Sequence, residues 1–199
     1  MNCDPVFYNK EGYGIRLAAK EDAENYYYQN YYPLDKEVAR LTGSKEHFPK
    51  EEVIPFFLRS VAENTRFFFL IIAPDGRIIG ETVINEIDWK LRCANFRIAI
   101  FQASERDKGI GSWATEVTRD FAFGTLKLHR LELDVYSFNP RAEKVYLKAG
   151  FRKEGIRRDA VTDGGSYADD ILMAMLEEDW QKLKGKEIGN HAGTAENEL

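Results

Sequence analysis

Ala94-Asn-Phe-Arg-Ile-Ala-Ile-Phe101, a loop from Gln102 to Lys108, and then Gly109-Ile-Gly111 form the stretch from which the fold is read. The first eight residues are β-branched and aromatic enough for a strand. After the glycine pair, Ile110, Trp113, Ala114, Val117 and Phe121 recur at the spacing of one helical face, which predicts a helix to about Gly124. His129 to Tyr136 reads as a second strand, with Leu131, Leu133 and Val135 alternating against Glu132, Asp134 and Tyr136. A second helix lies in Asn139-Pro-Arg-Ala-Glu-Lys-Val-Tyr-Leu-Lys-Ala-Gly-Phe151: Asn139 caps it, Pro140 takes the first helical position and Gly150 ends it. A glycine-bearing turn between strand and helix is a place to hold phosphate. The N–H groups of Gly109, Ile110, Gly111 and Ser112 have no partner within the helix and point toward an anion, while Arg106 and Lys108 add positive charge. The plainer reading is that the glycines only let the chain turn.

Working outward, Gly14-Ile-Arg-Leu-Ala18 is a short strand, and Lys20-Glu-Asp-Ala-Glu24 opens a helix with an acidic first turn. Tyr26, Tyr27, Tyr28, Tyr31 and Tyr32 crowd its end and are expected to pack beneath a sheet. Leu34 to Leu41 is a short helix. Another runs from Phe48 to about Asn64, with Val53, Phe56, Phe57 and Val61 on one face and Pro55 near the first turn. Arg66 to Ala73 is nearly all apolar, hence a strand covered on both faces; it turns at Pro74-Asp75-Gly76 and returns as Arg77 to Asp88. Downstream, Arg152–Val161 and Tyr167–Leu176 make a hairpin around Asp163-Gly-Gly-Ser166, followed by a short helix, Glu177 to Leu183. The order β, helices, βββ, α, β, α, ββ predicts an α/β (mixed α+β) fold. Its central sheet is mixed and mostly antiparallel, of about seven strands, with helices on both faces. One domain is expected over residues 1–183, with a polar, disordered tail over 184–199.

Composition narrows the function classes. The chain has 199 residues and a net charge of −5, which argues against a general nucleic-acid binder and suits cationic substrates. Two cysteines, Cys3 and Cys93, form neither a disulfide framework nor a metal spacing, and three histidines leave little for a zinc site or a Ser/Cys triad. No metal is expected. No apolar run approaches the roughly 18 residues of a membrane span, and no basic-then-apolar leader opens the sequence, so a cytoplasmic protein is expected, with neither membrane nor nucleic acid as partner.

Two cofactors suit the glycine turn. Gly109-Ile-Gly-Ser-Trp-Ala114 satisfies G-x-G-x-x-A, with Glu132 or Asp134 about 20 residues on, as a dinucleotide-dependent oxidoreductase requires. That reading asks for a run of parallel β-α units from the fingerprint strand, where this order supplies one crossover after three antiparallel strands. The other reading takes in more residues. Arg106-Asp-Lys-Gly-Ile-Gly111 has the form Q/R-x-x-G-x-G/A, and Asn139 to Phe151 has the form N-x-x-A-x-x-x-Y-x-x-x-G-F. In this order and spacing they resemble the GNAT acetyl-CoA-dependent N-acetyltransferases, over residues 14 to 180. The likeness is greatest to the RimJ/RimL-like branch, and Gly80 to Phe101 also looks like spermidine N-acetyltransferases.

The resemblance implies a GNAT-like fold in which the strands at 94–101 and 129–136 splay apart. Acetyl-CoA would lie between them, held by main-chain bonds from about Ile100 and Phe101. Its pyrophosphate would rest on the loop of Arg106, Lys108, Gly109, Ile110, Gly111 and Ser112, and Asn139 and Arg141 would contact the coenzyme from the second helix. Tyr146 matches the family's general acid: a phenol of pKa near 10 can protonate a departing alkyl thiolate. For the base, the strand carboxylates Glu81, Glu86, Asp88, Glu132 and Asp134 are candidates, and Glu86 is preferred. The acceptor would be a small-molecule or peptide amine (a protein N-terminus, a polyamine or another small amine), and a homodimer is common among relatives. A non-catalytic coenzyme-binding module on the same scaffold is the remaining alternative.

Overall fold

The computed structural model describes Phe7, Tyr8 and residues 11–185. Most of the polar segment expected to lack order, 186–199, lies outside the described residues, as does Cys3. Among the described residues one sheet of eight strands organises the fold: β1 (Phe7–Tyr8), β2 (Gly14–Leu17), β3 (Phe67–Ile72), β4 (Ile78–Asp88), β5 (Cys93–Ile100), β6 (Arg130–Tyr136), β7 (Arg152–Asp163) and β8 (Ser166–Leu176), in the order β1-β2-β3-β4-β5-β6-β8-β7. Seven of these are the expected strands; β1, two residues long, is the addition. Every pairing is antiparallel except β5 with β6. A single parallel pair does not supply the run of parallel units that a dinucleotide fold requires.

Helices cover both faces. On one lie α1 (Ala23–Asn30), α2 (Lys36–Thr42) and α3 (Lys50–Ala62); on the other lie α4 (Ile110–Asp120), α5 (Pro140–Lys148) and a helix over 177–185. The two cores follow from strand alternation. Ile79, Ile84, Phe96, Leu131, Leu133 and Val135 pack under α4 and α5, whereas Phe68, Leu70, Val83 and Phe101 pack with Tyr26 and Tyr27 of α1 and Phe57 of α3. The tyrosine cluster therefore divides: Tyr26 and Tyr27 are core, and Tyr28 and Tyr32 are exposed.

Local signals set most boundaries. Asp35 caps α2 by accepting from Val38 N–H, and Gly43 ends it at φ 64°. Gly164 and Gly165, at φ 57° and 89°, form the β7–β8 turn. Two details differ from the sequence reading. Pro49 caps α3, so Pro55 lies within the helix rather than at its start. The helix expected to reach Gly124 is α-helical only to Asp120, then widens into a π-turn over Phe121–Thr125, where Leu126 N–H reaches the Phe121 carbonyl.

Candidate active site

The parallel pairing of β5 with β6 covers only Cys93↔Arg130, Ala94↔Leu131 and Asn95↔Glu132. Beyond Asn95 the strands part, leaving a gap in the middle of the sheet. Phe101 donates its N–H to the Ile79 carbonyl on β4. Strand alternation then turns the main-chain groups of Phe96, Ile98 and Ile100 toward the gap. Of the two positions expected to offer main-chain bonds there, Ile100 faces the gap and Phe101 is committed to β4.

At the head of the gap, Gly109 starts α4 at φ 79°, a conformation that favours glycine. Gly111 needs no such freedom, and a Cβ built on it would meet nothing within 4 Å. The protein's own packing does not require glycine at 111; bare space over a helix N-terminus is what an anion needs. Ser112 lines a cavity of about 450 Å³ shared with Pro140, Arg141, Lys144, Val145 and Lys148 of α5. Arg141 reaches Asp107 only weakly, at 3.4 Å, and Lys144 and Lys148 form no ion pair among the described residues. Three cations on one helical face, beside the amide groups of α4, suit the phosphates of a coenzyme.

Asn139 is spent differently: its side chain accepts from Ala142 N–H at 3.2 Å and caps α5. Buried Arg119 fixes the other end of α5 by donating to the Ala149 carbonyl at 2.7 Å. Lys108 pairs with Glu105 at 2.9 Å. That carboxylate, buried at the loop, also accepts from Tyr13 and Arg77, and Lys108 foremost, with Tyr13, holds it below the usual glutamate range.

Arg106 turns the opposite way from the anion cradle. Its guanidinium, 8 % exposed, donates to Asp35 at 2.7 Å and Glu37 at 2.6 Å at the start of α2. It also reaches the carbonyls of Ile100 at 3.3 Å and Phe101 at 3.2 Å. At its other end, α2 rests on the β6 side: a Cβ on Gly43 would collide with the Tyr136 hydroxyl, Arg40 pairs with Asp163 and stacks on Phe138. A seven-residue helix is about 10 Å long, close to two strand spacings. It spans the gap like a bar, tied to the cofactor loop by Arg106.

Tyr146 projects from α5 onto the point of divergence, its ring 6.3 Å from that of Phe96 and 6.1 Å from that of Phe151. The residue is 8 % exposed, yet its hydroxyl has no hydrogen-bond partner among the described residues and is not one of the sealed polar atoms. Burial, reinforced by the Asp134 carboxylate, pushes the phenol above its usual value, so it is a protonated donor at neutral pH.

The candidate bases separate. Glu86 is exposed at φ 55° on the bulge where the β4–β5 register slips, at the closed end of the gap. Asp88 caps the turn at Lys90 and Leu91, and Glu132 pairs with Arg130. Glu81, opposite Ala99, lies beside the open gap; it accepts from Tyr26, and burial raises it despite the opposing pull of Tyr26, Arg97 and Arg66. Asp134 stands on the β6 lip. Lys144, Lys148 and Asp170 were absent from the sequence reading. The two lysines could have been found from their spacing with Arg141; Asp170 carried no local signal.

Known proteins resemble the chain along this whole region. The family model for the acetyltransferase (GNAT) domain matches residues 14–152. A probable N-acetyltransferase, YjcK of Bacillus subtilis, is 31% identical over 150 residues, covering 75% of this chain and 76% of that protein. The spermidine N(1)-acetyltransferase of Vibrio cholerae is 27% identical over 127 residues, covering 64% and 73%. Among solved structures, a ribosomal-protein-S5-alanine acetyltransferase from Vibrio fischeri superposes with a TM-score of 0.75 at 26% identity, over 89% of this chain and 99% of that one. A spermidine N-acetyltransferase from Vibrio cholerae, in complex with CoA and spermine, superposes at 0.76 with 22% identity over 85% and 98%, a likeness of fold. The chain therefore belongs to the GNAT family of N-acetyltransferases, enzymes that draw the acetyl group from acetyl-CoA.

Proposed function

We propose that the chain moves the acetyl group of acetyl-CoA directly to a primary amine, both bound at once, with Tyr146 as the general acid. The observation that carries this is the Tyr146 hydroxyl: unbonded, reachable and protonated where β5 and β6 part, between the anion cradle and the face covered by α1–α3. The open space at Gly111, the amide groups of α4 and the cations of α5 fit the phosphates, and the gap-facing main chain of Ile98 and Ile100 fits an extended arm. Acetyl-CoA supplies the activated acetyl group. The protein holds the amine against it and donates a proton from Tyr146 Oη to the departing sulfur.

Tyr146→Phe tests this reading. Thiol release should fall at least a hundredfold while acetyl-CoA binding, measured by calorimetry, stays within twofold. A non-catalytic module would show no amine-dependent thiol release in the parent protein. Unchanged turnover in the variant would remove Tyr146 from the chemistry.

A further inference from the structure

Resting on the acetyl-transfer reading above, we propose that the acceptor is a primary amine carrying an anionic group a few bonds away, its ammonium taken by Asp134, with Asp170 behind it, and its anion by Arg97. Asp170 of β8 is 4 % exposed; its Oδ2 accepts from Arg157 at 2.9 Å, while its Oδ1 is sealed and has no donor among the described residues. Buried polar atoms of this kind are almost always satisfied, but a sealed one leaves a ligand no surface, so exposed Asp134 is where an ammonium can meet the two acids. Asp134, exposed on β6, is the diagonal neighbour of Asp170 across the strands: Tyr136 pairs with Asp170 and Asp134 with Leu172. Burial and then Asp134 raise the Asp170 carboxyl, the response expected when a second negative charge has no counter-ion. The negative field of Asp134 also reaches Tyr146, and that of both acids reaches Tyr136.

Arg97 supplies the other half. Since Asn95 pairs with Glu132, Arg97 is level with Asp134 across the gap, on the face under α1–α3. It is exposed and makes no hydrogen bond or ion pair among the described residues. Most neighbouring charged groups are engaged: Asp35 and Glu37 with Arg106, Arg40 with Asp163, and buried Glu81, which also feels the Arg97 charge, with Tyr26. Arg97 and Asp134 remain as opposite charges held apart by the splay. Opening the sheet by one strand places their backbones about 10 Å apart, room for a small zwitterion between the two side chains. Two tyrosines, Tyr31 and Tyr136, border the same space and feel the Arg97 charge.

Protons balance on this arrangement. The ammonium passes one proton to the acid pair and its freed lone pair forms the C–N bond. As the C–S bond breaks, sulfur takes the Tyr146 proton, and the second proton lost by nitrogen restores Tyr146. The proton on the acid pair leaves to solvent with the product.

The experiment measures thiol release from acetyl-CoA with three acceptor sets: α-amino acids, the matching amino-acid amides, and polyamines without an anion. The acids should exceed their amides at least tenfold in kcat/KM, and Arg97→Gln should collapse that ratio toward one. Asp134→Asn should raise the acceptor KM at least tenfold while the acetyl-CoA Kd, by calorimetry, moves less than twofold. Equal kcat/KM for acids and amides, or a preference for polyamines that survives Arg97→Gln, overturns the proposal while leaving acetyl transfer intact. Absence of thiol release with every amine class overturns the acetyl-transfer reading, and this proposal with it.

Discussion

Arg106 separates two accounts of the cofactor loop, and replacing it with glutamine tells them apart. If the guanidinium contacted the coenzyme's pyrophosphate, as the motif's form implies, its loss would remove a charge-assisted bond of about 1.5–3 kcal/mol and weaken acetyl-CoA about tenfold or more. In the structure the same group is a strut, donating to Asp35, Glu37 and the carbonyls of Ile100 and Phe101. The carboxylates are 29 % and 51 % exposed, so each pair contributes about 0.5–1 kcal/mol after solvent screening. The two longer carbonyl contacts of a buried guanidinium bring the total to about 2 kcal/mol. For a chain of this size that corresponds to a fall in Tm of about 4–8 °C. Calorimetric titration of acetyl-CoA should change less than threefold, and the acceptor KM should rise as α2 loosens. A Tm within about 1 °C of the parent together with a tenfold weaker acetyl-CoA would refute the strut.

Gly111→Ala should stabilise α4 by about 0.5–1 kcal/mol, since the added methyl meets no protein atom, yet weaken acetyl-CoA; equal stability with equal affinity would show that no ligand approaches there. Charge reversal at Lys144 and Lys148 should raise the acetyl-CoA Kd with little change in Tm, and added salt should shrink the difference. Glu105 is held below the ordinary glutamate range, chiefly by Lys108 and then Tyr13. Its folded pKa is depressed, so its contribution is complete above the unfolded value near 4.3 and fades as pH falls through the folded one. Glu105→Gln should therefore cost stability at pH 7 and little at pH 3, by denaturant titration at the two pH values; an equal cost at both would point to packing instead.

Periodic features were legible in the sequence because one period fixes one face. The alternation in β6 and the helical stripe from Ile110 to Phe121 placed the core correctly, and Asn139, Pro140 and Gly150 marked α5 within a residue. What escaped depends on where remote elements meet. Glu81 sits in a strand pattern that suggests a solvated face, but α1 covers that face and brings Tyr26 onto the carboxyl, 55 residues away in the chain. Arg106 lies beside glycines that suggest an anion, and nothing local discloses the acids of α2, about 70 residues earlier, that claim it. The additional strand β1, two residues long, is too short for any periodic signal.

The position of α2 gives these separate contacts one consequence. The gap needs a parallel pair that opens after Asn95, and an open sheet loses the ladder that would otherwise hold β5 to β6. Two loads replace it. On the coenzyme face, Tyr146 packs across the divide onto Phe96. On the other face, α2 runs from Arg106 at the end of β5 to Tyr136 at the end of β6. The bar that braces the gap is also a wall of the space in which Arg97 and Asp134 face each other. Its width is therefore set by Arg106, a residue of the cofactor loop. A coenzyme that shifts this loop would change the span available to the acceptor, so binding of the two substrates should be coupled through α2. Acceptor affinity measured with and without CoA should differ in the parent protein and converge in Arg106→Gln; the same difference in both would place the coupling elsewhere.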